Sequence, residues 1–91
     1  MYSRTVMIQN PTGLHARPAS EFVNLAKSFK SKITIKPAND EDDVDAKSIM
    51  MVMALALEQG DEAEITAKGE DENEAVDALV ALIETKFGED V

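Results

Sequence analysis

A chain of 91 residues with 44% apolar content is sized for one small domain with a modest core, residues 1–91. The absence of cysteine excludes a disulfide scaffold and thiolate metal sites, and a single histidine cannot build a zinc site. A net charge of −9 argues against a nucleic-acid partner, because phosphate backbones demand a basic patch. Residues Met1 to Asn10 lack the long apolar run of a secretory signal, and no stretch reaches membrane-spanning length. The expectation is a cytoplasmic protein without membrane insertion.

The segment Ser3–Gln9 alternates, with Val6 and Ile8 on one face, and predicts a first strand. Asn10-Pro11-Thr12-Gly13 is turn chemistry. A helix is then expected from about Ala16 to about Phe29, with Ala19, Phe22, Ala26 and Phe29 as its core stripe, widened by Val23 and Leu25. Ser31–Lys36 alternates strictly and predicts a second strand. Pro37–Asp42 reads as a hairpin loop, and Val44 and Ala46 mark a short third strand among acidic residues. Ser48 is a candidate N-cap for a second helix from Ile49 to about Leu57, with Gly60 as its stop. Glu62–Lys68 alternates with Ala63, Ile65 and Ala67 inward, a fourth strand. Asp71-Glu72-Asn73-Glu74 has the form of a capping box before a last helix to about Phe87, lined by Ala75, Leu79, Leu82, Ile83 and Phe87 and ended by Gly88. The order is β-α-β-β-α-β-α, an α+β chain. Strands that alternate this cleanly bury one face, so helices should cover one side of a single sheet.

Two stretches carry chemistry. In Gly13-Leu14-His15-Ala16-Arg17-Pro18, Gly13 allows a tight turn and Pro18 fits the first turn of a helix. His15 therefore sits at a helix N-terminus, where unpaired N–H groups and the helix dipole favour an anion. A neutral imidazole is a competent nucleophile near neutral pH, and Arg17 offers a planar fork of donors for phosphate oxygens. Reversible phosphoryl chemistry on His15 is the reading these residues favour. The second stretch, Ile49–Leu57, is apolar at every position, more than one small domain can bury. Its uncovered face, rich in methionine, suits a partner surface. No glycine-rich nucleotide loop or metal-ligand cluster appears in the sequence, and neither cofactor nor metal is expected.

The segment Gly13–Ala19 resembles the active-site signature of HPr, the histidine-containing phosphocarrier family of the phosphoenolpyruvate-dependent sugar phosphotransferase system. Ala46-Lys47-Ser48-Ile49-Met50 is similar to that family's regulatory-serine segment, with Met51 where the family commonly has glycine. The resemblance covers the whole chain. It implies an open-faced sandwich, with a four-stranded antiparallel sheet in the order 1-4-2-3 and three helices on one face. It also implies a carrier and not an enzyme. His15 would be the phosphohistidine, attacking through Nδ1, with Ala16 and Arg17 holding phosphate and Ser48 a regulatory site. Thr12, Leu14, Arg17, Ser20, Ile49, Met50 and Met53 would form the partner surface. The implied partners are enzyme I and IIA domains, with an HPr kinase/phosphorylase and a transcriptional regulator as further candidates; the expected state is a monomer. The loop Ala38–Asp43 is slightly long for the sugar branch and keeps a nitrogen-branch paralogue open, as does a non-carrying regulatory adaptor.

Overall fold

The computed structural model describes residues 1–89. The strands are β1 (Tyr2–Met7), β2 (Lys32–Pro37), β3 (Val44–Asp45) and β4 (Glu62–Lys68), and the helices are α1 (Ala16–Lys27), α2 (Ile49–Ala54) and α3 (Glu72–Glu84), followed by a 3₁₀ turn at Lys86–Gly88. The sheet order is β1-β4-β2-β3. All pairings are antiparallel, with Tyr2 opposite Ala67, Ile35 opposite Ile65 and Thr34 opposite Asp45. Both the element order and the open-faced sandwich implied by the resemblance are present.

Alternation explains the layering. Ile33 and Ile35 of β2 and Ala63, Ile65 and Ala67 of β4 point inward and are buried, while Lys32, Glu62 and Lys68 stay exposed. Phe22, Ala26 and Val23 of α1 meet that inner face together with Leu79, Val80 and Ile83 of α3. Burying a side chain of this size stabilises the fold by about 1.5–3 kcal/mol relative to exposure. The outer face of the sheet carries hydroxyl and charged side chains, with Ser3 and Thr66 hydrogen-bonded at 2.8 Å.

Strand β1 ends at Met7 instead of Gln9, β2 is shifted by one residue from Ser31–Lys36 and takes in Pro37, and Ala46 lies just past β3; three helix ends and one cap also differ from the sequence reading. Helix α1 ends at Lys27, two residues early. Ser28 caps it through its backbone N–H to the Ala26 and Leu25 carbonyls, and its hydroxyl also bonds the Leu25 carbonyl, leaving Phe29 half-buried beyond the end. Helix α2 stops at Ala54 instead of about Leu57. Ala56 adopts φ 53°, and this left-handed residue turns Leu57 out of the helix and into the core. Helix α3 stops at Glu84, because Lys86 and Phe87 are left-handed (φ 61° and 53°). The kink delivers Phe87 to the core as a separate turn. The capping box is not formed. Asp71 is the N-cap of α3, but its carboxylate accepts the Lys30 and Ser31 amides at 2.9 Å each and the Ser31 hydroxyl at 2.5 Å. Those bonds tie α3 to the start of β2 and hold the Asp71 carboxyl at about 2, the Ser31 hydroxyl being the largest cause and the Lys30 amide the next. Glu72 supplies a bond in the cap's place, accepting the Gly69 amide at 3.1 Å.

Candidate phosphoacceptor site

Five hydrogen bonds build the loop between β1 and α1. Asn10 is completely buried. Its Nδ2 donates to the Gly13 carbonyl at 3.0 Å and to Glu89 Oε1 at 3.2 Å. Both partners are pure acceptors, which fixes the orientation of the amide. The Gly13 N–H closes the turn onto the Asn10 carbonyl at 3.1 Å, and the Thr12 N–H donates to Glu89 Oε1 at 3.1 Å. Finally, the Leu14 N–H donates to the Leu57 carbonyl at 3.0 Å, pinning the loop to the segment after α2. Gly13 lies so close to that segment that a Cβ would stand 2.4 Å from the Leu57 oxygen, and its φ of +73° independently favours glycine.

His15 is the N-cap of α1, in extended conformation (φ −131°, ψ 157°), half-buried, and its imidazole makes no capping bond. Among the described residues no side chain caps the first turn of α1, whose leading N–H groups have no intrahelical acceptor. Ala16, the next residue, is exposed and has φ 52°, a left-handed backbone that costs an L-residue about 1–2 kcal/mol. Strain of this kind concentrates where the surrounding structure fixes an unusual geometry. Pro18 is buried in the first turn, as its missing N–H allows.

The residues singled out in the sequence lie on the β1–α1 loop, on α1 and on α2, which packs against α1, with one correction. Leu14 is completely buried: its side chain enters the core while its N–H reaches Leu57. It therefore stabilises the loop from beneath and does not line a docking surface. Arg17 is 72% exposed at its side chain and leans toward Glu21, with Nε 4.0 Å from Oε2, one turn along α1. The guanidinium lies along the helix surface, largely open to solvent. Thr12 and Ser20 are exposed as expected.

Helix α2 packs against α1. It buries only Val52 and leaves Met50 79%, Met51 46% and Met53 39% exposed, with Ile49 half-buried. Ser48 is its N-cap, accepting the Met51 N–H at a long 3.4 Å. Lys47 anchors the same end, its ammonium donating to the Phe29 carbonyl at 2.8 Å. Three clefts lie away from His15, one lined by Pro37–Asn39 and Gly60–Glu62 and two along β2 and the open sheet face. His15 lines none of these three, and the exposed methionines of α2 form an apolar patch of the kind that marks a partner surface.

The profile of the family described as "PTS HPr component phosphorylation site" matches residues 2–85. The chain belongs to the HPr family of phosphocarriers. HPr of Haemophilus influenzae is 48% identical over 85 residues, covering 93% of this chain and 98% of that protein. A phosphocarrier NPr of Proteus mirabilis is 42% identical, covering 96% of each. The crystal structure of HPr-C-His from Thermoanaerobacter tengcongensis superposes with a TM-score of 0.94 at 49% identity, covering 100% of both chains. HPr proteins are phosphocarriers of the phosphotransferase system and not enzymes in their own right. That role agrees with a loop of backbone tethers around one histidine, and no helix among the described residues is long and apolar enough to cross a membrane.

Two participants in the HPr loop escaped the sequence reading. Asn10 was legible only as turn chemistry, and Glu89 carried no signal, because its partners lie 77 and 79 residues away.

Proposed function

We propose that His15 accepts a phosphoryl group from phospho-enzyme I and passes it to a histidine on a IIA domain. The observation that carries this reading is the half-buried imidazole at the N-cap of α1, which makes no capping bond and stands at a helix start whose first N–H groups have no intrahelical acceptor. The phosphorus–nitrogen bond of the donor breaks as the bond to the His15 ring forms, and the reverse exchange delivers the group onward. Transfer of this kind depends on positioning and on charge stabilisation, which the Ala16 end of α1 and a reoriented Arg17 supply. Thr12, Ser20 and Arg17 on one side and Ile49, Met50 and Met53 on the other form the docking surface, and the carrier acts as a single copy in the cytoplasm. Ser48 is a regulatory site: a phosphate at the start of α2 adds nearly two negative charges beside an apolar surface already flanked by Asp43 and Asp45. An HPr kinase/phosphorylase and a transcriptional regulator are the further partners this implies.

The test mixes the chain with phosphoenolpyruvate and enzyme I and measures intact mass. One acid-labile, base-stable phosphoryl group on the wild type and none on His15→Ala is the expected result. A phosphorylated His15→Ala chain overturns the assignment. A second reading, a nitrogen-branch carrier, is favoured by the 42% identity to an NPr protein and by the long Ala38–Asp43 loop. Comparing acceptance rates from sugar-branch and nitrogen-branch enzyme I separates the two.

A further inference from the structure

We propose that Glu89 is a positioning residue for His15, a staple that holds the phosphoacceptor loop from outside while Leu57 holds it from beneath. This inference rests on His15 being the phosphoacceptor. Glu89 Oε1 accepts two hydrogen bonds, from the Thr12 N–H at 3.1 Å and from Asn10 Nδ2 at 3.2 Å. The same Asn10 nitrogen holds the Gly13 carbonyl at 3.0 Å. One carboxylate oxygen thus reaches Thr12 directly and Gly13 through a buried amide, restraining the two peptides that lead to Leu14 and His15. The Thr12 amide chiefly holds the Glu89 carboxyl below the usual carboxylate range; burial opposes it, and the Thr12 hydroxyl, Asn10 and the Arg17 charge add to it. The carboxylate is therefore ionised throughout the neutral range, and its bonds to Thr12 and Asn10 are charge-assisted.

The geometry at Ala16 explains why such a staple matters. A residue at φ 52° relaxes toward ordinary backbone angles unless both flanks are fixed. Helix α1 fixes the C-terminal flank through the buried Pro18 and Ala19. The N-terminal flank consists of Asn10–Leu14, whose restraints include the Leu57 carbonyl, the Asn10 carbonyl that closes the turn, the Asn10 side chain and Glu89. Of these, Glu89 alone is a half-buried side chain that can be altered without opening the core.

The experiment compares Glu89→Ala with Glu89→Gln in the full chain. A glutamine oxygen can still accept both bonds, so it separates the staple from the charge. Three quantities are read: hydrogen exchange of the Thr12 amide by NMR, the rate of phosphoryl acceptance from phospho-enzyme I in a rapid-quench assay, and the apparent affinity for enzyme I. Glu89→Ala should exchange the Thr12 amide at least about tenfold faster and slow the transfer step several-fold with affinity for enzyme I unchanged. Glu89→Gln should recover most of both. Wild-type exchange and wild-type transfer in Glu89→Ala overturn the proposal, and so do equal transfer defects in Ala and Gln, which assign the effect to charge. Should wild-type protein accept no phosphoryl group, the carrier reading falls, while exchange at Thr12 still decides whether Glu89 staples the loop.

Discussion

Replacing Gly13 with alanine adds one methyl group where the structure has no room for it. The backbone there is at φ +73°, a conformation that costs an L-residue about 1–2 kcal/mol. The new Cβ would stand 2.4 Å from the Leu57 oxygen and 3.0 Å from the Glu58 Cα, so the loop must retreat by roughly 1 Å to reach ordinary contact. Overpacking of this kind costs about 1–3 kcal/mol. The retreat also stretches the 3.0 Å bond from the Leu14 N–H to that carbonyl, worth about 1 kcal/mol. Alanine restricts the unfolded chain and returns about 0.4–1 kcal/mol. The net expectation is a loss of about 4 kcal/mol, and at 4–8 °C per kcal/mol the thermal midpoint falls by about 16–32 °C. Gly60→Ala is the control. Gly60 has φ +94° but nothing within 4 Å of a Cβ, so it bears the backbone cost alone. Scanning calorimetry and urea titration of both variants measure the difference. Equal destabilisation at the two sites would refute the claim that the Leu57 carbonyl is packed onto the phosphoacceptor loop.

Met50→Asp should weaken binding to enzyme I at least ~10-fold, about 1.4 kcal/mol, while leaving stability within ~0.5 kcal/mol, because the side chain is 79% exposed; titration calorimetry and thermal melts check both, and an unfolded variant contradicts the surface reading. Ser48→Ala should lose only about 0.5 kcal/mol, since the capping bond is long at 3.4 Å, and should accept phosphoryl groups normally. Ser48→Asp should fold yet be phosphorylated on His15 more slowly; equal rates for the two variants remove charge at this position as a gate. The Asp71 carboxyl is pulled from 3.8 to about 2 by folding, so its contribution is complete above the unfolded value and is lost as pH falls through about 2. The melting-temperature gap between wild type and Asp71→Asn should be widest above pH 5 and close between pH 4 and pH 2, and a gap independent of pH rejects the assignment.

Periodicity carried most of the fold. Glu62–Lys68 alternates without interruption and is β4 with the same limits, because nothing but a one-sided sheet suits that pattern. The all-apolar run Ile49–Leu57 had no period to read, and its end was set by tertiary demand: the Leu57 carbonyl is needed by Leu14, and a left-handed Ala56 delivers it. Val76 and Val80 joined the buried face of α3, which lies across both β1 and β4 and covers more width than a single stripe. Asp71 was legible as a cap position but not as a link to Ser31, since local sequence cannot report a partner 40 residues away. At the site, His15 and its helix start were written in the sequence by Gly13 and Pro18. The direction of the Leu14 side chain was not, because it depends on which side of the loop the core lies.

The placement of β1 beside β4 has a consequence for biosynthesis. Tyr2 is paired with Ala67, and the His15 loop hangs from a carbonyl at residue 57. A ribosome adding about 5–20 residues per second releases the histidine segment long before its scaffold exists. A nascent chain therefore displays the signature residues as unstructured peptide, with neither the helix end nor the loop assembled. The His15 loop is complete only late, after the fourth strand has paired with the first and Glu89 has reached Thr12. Chains interrupted upstream of that strand lack the sheet and the tethers that fix His15.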